Sequence, residues 1–311
     1  VVIFPVEKSA GFCWHWAWNA GMKATTANLA VDAPAARQQA ALLTLLADED
    51  PGVYQAVRDK ILGGGPAAAG WLRAHTLSDE PLLRRRAAAI LRHFARLEAD
   101  TRFVAFCIAH GENLDLEEGA WLLSQTRHPD ANVAAYRAWL DLFAETLRER
   151  MVLKDGAAGV LSTMNTYLFD ELGFHGNQDD YYDPDNSYLS RVIDRRVGNP
   201  ISLCVLYWLL ARRLQLPIAG IAMPGHFLCR YQSSTETFFI DAFNRGKLLT
   251  RTDCIQHLQR SGHGFQESFL APASPGRTLL RMCSNLHQIY LHRKQPEEAA
   301  RLQRYLVALA K

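Results

Sequence analysis

Three short segments carry the residues able to do chemistry: Gly198-Asn199-Pro200-Ile201-Ser202, Pro224-Gly225-His226-Phe227 and Phe239-Ile240-Asp241. A carboxylate beside an imidazole fixes the tautomer and raises the basicity of the ring, so His226 and Asp241 supply the orienting half of a nucleophile, base and acid set. A cysteine-type acyl-transfer site would use that pair, but the cysteine it normally serves is missing. Cys204 is the nearest thiol. It lies between Leu203 and Val205 on an apolar helix, which favours a small core residue over a reactive nucleophile. Asp183, Asn186, Ser187, Ser202 and Asn244 are candidates to line the same cleft, weighed against ordinary roles as cap and turn residues. Cys254, His257 and His263 lack a fourth ligand for zinc, so neither a metal nor a cofactor is expected.

These residues must be positioned by a helix and a small sheet. Asn199 can cap a helix whose first position suits Pro200, and Ile201, Val205, Leu206, Leu209 and Leu210 form a buried stripe ending near Leu214. A shorter helix over Tyr188–Arg196 precedes it, with Asn186-Ser187 as cap and Gly198 as the left-handed residue at its end. After Pro217 the period changes to strands, at Ile218–Ala222, Phe227–Tyr231 and Phe238–Ile240. In an antiparallel hairpin with a loop over Gln232–Thr237, His226 and Asp241 fall opposite or diagonal on one face.

Upstream, residues 35–150 show helical periodicity broken by acidic or glycine turns with prolines at 51, 66 and 81, loosely similar to HEAT repeats. One amphipathic helix spans Leu82–Arg96, with Arg84-Arg85-Arg86 expected as a solvated face. Further helices are expected over Leu116–Leu123, over Asn132–Arg150 with Trp139, Leu140 and Phe143 on one face, and over Val160–Leu172. After the Pro-rich linker at 271–276, helices over Thr278–His292 and Pro296–Ala310 resemble one tetratricopeptide-type unit, which must dock on the rest of the chain. The expected divisions are residues 1–34, an extension in which Met22 is a plausible start, then 35–150, 151–270 and 271–311.

With 34 Lys and Arg against 32 Asp and Glu in 311 residues, no global field calls for nucleic acid or an anionic membrane. No apolar run reaches the ~20 residues of a membrane span. The six cysteines include no CxxC pair, which suits reduced thiols in the cytoplasm. A partner would therefore be a protein or peptide, met through the cleft or the helical surfaces.

Several spaced motifs carry a family resemblance: Asp183-Pro184-Asp185-Asn186-Ser187-Tyr188-Leu189, Gly198-Asn199-Pro200-Ile201-Ser202-Leu203, Ala211-Arg212-Arg213-Leu214, Pro224-Gly225-His226-Phe227-Leu228, Ile240-Asp241-Ala242-Phe243-Asn244, and Arg281-Met282 with Asn285-Leu286. Over about residues 42–309 the chain resembles transglutaminase-like proteins of the SirB-one type. The resemblance implies an α+β fold, mostly helical, with a core helix on a small antiparallel sheet and a C-terminal helical hairpin. It also implies that the nucleophilic cysteine of catalytic relatives would stand where this chain has Pro200. Cys204 lies about 40° round the helix and ~6 Å further along it. The leading expectation is a non-catalytic binding or scaffolding module. The alternatives are an active amidase or acyl transferase using Cys204, or less readily Ser202, with His226 and Asp241, and a regulator acting through its helical surfaces.

Overall fold

The computed structural model describes residues 32–111, 114–151 and 156–310, so residues 1–31 of the extension expected over 1–34, Met22 included, lie outside the described residues. The chain divides into two compact units, residues 1–88 and 89–311. In the first, helices α1 (Asp32–Leu46), α2 (Pro51–Gly63) and α3 (Gly65–Ala68) precede α4 (Pro81–His110). Asp50 caps α2 by accepting from the Gly52 and Val53 amides, with Pro51 in the first turn. Leu46, Val57, Ile61 and Leu72 are buried. Arg86 departs from the solvated face expected of it: its guanidinium donates to the Leu46 and Asp48 carbonyls and lies 4.4 Å over the Tyr54 ring.

Helix α4 does not stop near Arg96. Ile90, Phe94, Phe103 and Cys107 keep its buried stripe going, and no Gly or Pro interrupts it before Gly111. The second unit continues with α5 (Leu116–Arg127), capped by Asp115, and α6 (Val133–Arg150), capped by Asn132. On α6, Leu140 and Phe143 are buried while Trp139 is exposed, one position outside the apolar stripe. Helix α7 (Gly156–Asn165) ends in a π-helical turn over Thr166–Glu171.

The sequence then passes through β1 (His175–Gly176), α8 (Leu189–Arg195), β2 (Val197–Gly198) and α9 (Pro200–Arg213). Arg196, with φ of 60°, is the left-handed residue after α8, and not Gly198. The chain must already be extended at Val197 and Gly198, because these two residues pair in parallel with His175 and Gly176.

Strands β3 (Ile218–Ile221), β4 (Leu228–Gln232), β5 (Thr237–Asp241) and β6 (Lys247–Leu249) form an antiparallel meander in that order. Its two faces have different cores. Ile218, Cys229 and Ile240 join the cluster of α9, whereas Ile221, Leu228 and Phe239 pack with Cys254 and Leu258 of α10 (Arg251–Arg260). The alternation follows the period of two along each strand. Helices α11 (Pro275–His292) and α12 (Pro296–Leu309) close the chain, placing Leu279, Met282, Leu286, Leu302 and Tyr305 in the α9 cluster. The fold is therefore mostly helical α+β, with a small sheet between α9 and α10.

Candidate functional site

The amino end of α9 is held by a reciprocal cap. Asn199 Oδ1 accepts from the Ser202 amide at 2.9 Å, and Ser202 Oγ accepts from the Asn199 amide at 3.1 Å. Pro200 occupies the first helical position, where a missing N–H costs no hydrogen bond. Gly198 lets the cap close, since a Cβ there would lie 2.7 Å from Ser202 Oγ and 3.0 Å from Leu203 Cγ.

Ser202 Oγ also donates to the Asn186 carbonyl at 2.6 Å, and Asn199 Nδ2 donates to Ser187 Oγ at 2.8 Å. The Asn186 side chain in turn donates to the Asp180 and Tyr181 carbonyls and accepts from Asn177. Asn186, Ser187 and Ser202 are all buried and link the start of α9 to the Tyr181-Tyr182 loop. Asp183 accepts from the Asp185 amide and pairs with Arg195 at 2.6 Å.

His226 lies two residues before β4, and Asp241 ends β5. The register Cys229↔Ile240, carried one step further, sets Asp241 across from Leu228, so His226 is its diagonal neighbour on the same face. The imidazole Nε2 donates to Asp241 Oδ2 at 3.0 Å. Asn244 completes the carboxylate, donating Nδ2 to Oδ2 at 2.8 Å and its amide to Oδ1 at 3.2 Å. Burial by itself would raise the Asp241 pKa, but the bonds from His226 and Asn244 outweigh it and hold the carboxyl below its usual range. On the α10 side the His226 ring lies 5.5 Å from that of His257.

His226 opens with Pro200 onto a cleft of about 220 Å³. Ile201 of α9 and Phe227, just before β4, line it together with Tyr181 and Tyr182 of the preceding loop and with Arg281, Asn285, Gln288 and Ile289 of the C-terminal helix α11. Arg293 fixes the aromatic loop, donating to the Tyr182 carbonyl at 2.8 Å and pairing with Asp180, while the Tyr182 ring stacks on His292 at 4.5 Å.

Cys204 is elsewhere. Its side chain is fully buried in the α9 core, where Sγ donates to the Phe227 carbonyl at 3.4 Å and the Cys229 thiol donates to the Cys204 carbonyl at 3.4 Å. Burial first, and then the neighbouring Cys229, push its thiol well above the ordinary range.

The profile of the transglutaminase-like superfamily matches residues 134–284. A UPF0162 protein of Xylella fastidiosa (strain 9a5c) is 35% identical over 196 residues, covering 61% of this chain and 70% of that one. The chain belongs to the UPF0162 protein family. A second member, UPF0162 protein PA3419 of Pseudomonas aeruginosa, is 29% identical over the same length and shares. Human F-box only protein 21 is 42% identical over 139 residues, which are 41% of this chain and 21% of that protein. No solved structure matches the chain.

In this UPF0162 member the transglutaminase-like match takes in nearly all of α6 and most of α11, beyond the 151–270 span expected for the core. Sequence reasoning singled out His226, Asp241 and Asn244, which the fold brings together. It did not name Arg281, Asn285 and Gln288 as cleft residues. Their i, i+4, i+7 spacing on α11 was the available signal, since it puts three polar side chains on one helix face. Among the described residues no cluster of three or more His, Cys, Asp or Glu is arranged to hold a metal.

Proposed function

We propose that this UPF0162 protein is a non-catalytic, cytosolic member of the transglutaminase-like superfamily whose cleft binds a protein or peptide ligand. The observation that carries the reading is Pro200. At the amino end of α9 the helix dipole would favour a thiolate, and His226 lines the same cleft, yet proline offers neither a nucleophile nor a backbone N–H. The chain's nearest thiol on α9, Cys204, is buried and protonated.

A binding role is further supported by the likeness to F-box only protein 21, of which the shared segment is 21%, as suits a module that works inside larger proteins. The reading includes the closer likeness to the SirB-one type, with α11 and α12 as one tetratricopeptide-type unit. It also takes residues 35–150 as a helical support and 151–270 as the heart of the superfamily core.

The test is turnover. Purified protein incubated with peptide amide and thioester substrates should release no product above background. Hydrolysis abolished by Cys204→Ala, with helicity retained by circular dichroism, would establish an enzyme instead.

A further inference from the structure

The chemistry of the cleft wall selects among ligands. Among the described residues no Asp or Glu lines it, its one full cation is Arg281, and the Arg281 guanidinium has no carboxylate partner and makes only a long bond, 3.4 Å, to the Met223 carbonyl. Asn285 and Gln288, one and two turns along α11, make no side-chain hydrogen bond among the described residues, and neither does His226 Nδ1. The amides of Asn285 and Gln288 thus offer unused donors beside a single positive charge, while His226 Nδ1, with the Nε2 proton given to Asp241, is an acceptor. The cleft lining also has an apolar part, with Pro200, Phe227 and Ile289. Tyr181 and Tyr182 of the same lining stand 41% and 48% exposed, rings of the kind that anchor a partner chain.

We propose that this cleft receives the carboxyl terminus of a peptide. The terminal carboxylate pairs with Arg281 and the neighbouring amides, an apolar last side chain rests on Pro200, Phe227 and Ile289, and the preceding residues run against Tyr181 and Tyr182. One guanidinium matches a monoanion and can hold both oxygens of a carboxylate. At about 220 Å³ the cleft is smaller than the ~300 Å³ and above typical of whole small-molecule sites, which suits one residue of a longer chain. Capture of a terminal carboxylate is an established mode of peptide recognition. The inference rests on the cleft being a binding site, but adds a specific demand for a free carboxyl end.

The experiment uses two pools of fluorescein-labelled hexapeptides of randomised sequence ending in Leu, Val or Phe, one with free carboxyl ends and one amidated, titrated with the full chain by fluorescence anisotropy. The acid pool should bind at least ~10-fold more tightly than the amide pool, the size expected for a hydrogen bond to a charged group. Arg281→Gln should remove that preference, whereas Arg245→Gln, outside the cleft, should keep it. N-acetyl-leucine alone should compete weakly, because it lacks the residues that meet the tyrosines. Equal binding of acid and amide pools would overturn the carboxylate inference while leaving a peptide-binding cleft. Binding of neither pool, or an acid preference that survives Arg281→Gln with the fold intact, would also overturn it. Turnover of any peptide would instead count against the non-catalytic reading.

Discussion

Asp241 Oδ2 accepts hydrogen bonds from His226 Nε2 at 3.0 Å and from Asn244 Nδ2 at 2.8 Å. The carboxylate that would orient a catalytic imidazole is therefore intact although no cysteine opens α9. His226→Ala should raise the Asp241 carboxyl toward its ordinary value, because the strongest of the bonds lowering it is lost. Carboxyl carbon NMR titration reads this directly, and an unchanged Asp241 would mean that the contact does not form in solution. The sign for stability follows. A depressed carboxyl pKa contributes stability that is present above the unfolded value of 3.8 and is lost as pH falls through the folded pKa. His226→Ala should thus shrink the acid-induced loss below that pH.

Cys204 should react with a small alkylating reagent at least ~100-fold more slowly in the native protein than in denaturant, since burial disfavours the thiolate and closes access. Peptide mapping by mass spectrometry after a timed pulse gives both rates. Comparable native and unfolded rates would mean an exposed, reactive thiol.

Gly198→Ala should destabilise the protein by about 1–3 kcal/mol, the usual cost of forcing extra volume into a packed site. The added methyl would press on Ser202 Oγ and Leu203, and so on the cap that begins α9. Chemical denaturation measures it; a cost within the ±0.5 kcal/mol range of surface substitutions would show that the cap tolerates a Cβ.

Much of this was legible in the sequence, and what was not has physical causes. Asn199, Pro200 and the apolar stripe from Ile201 to Leu210 specify α9 locally, and the period of two around residues 233–236 specifies the hairpin that sets His226 beside Asp241. The end of α8 was misread because Arg196 takes the left-handed turn that glycine usually supplies, and the parallel pairing that demands it is non-local. Strand β6 and helix α10 escaped notice. The strand has three residues, and α10 buries only Cys254 and Leu258 among polar neighbours. The tyrosine wall was invisible for another reason: Arg293 of the distant α11 end fixes it.

His257 should titrate below the ordinary 6.5, through burial first and the nearby His226 second, with Asp241 opposing and Arg260 assisting. As pH drops below 6.5 the unfolded chain takes up the proton first, so stability falls through that window. His257→Gln should flatten the slope between about pH 7 and pH 5, where histidine changes charge. Denaturant midpoints for both proteins check this, and identical slopes would contradict it.

The central claim is that Pro200 stands where a nucleophile would meet His226. The most direct measurement is the iodoacetamide labelling rate of Pro200→Cys as a function of pH, with helicity checked by circular dichroism. A thiol at a helix amino end beside an imidazole should form its thiolate below the ordinary 8.5 and label ~10-fold or more faster near neutrality than a free cysteine. Adding His226→Ala should abolish most of that gain. A thiol that labels no faster than free cysteine, or whose rate ignores His226, would show that the cleft never had the geometry of a nucleophile site.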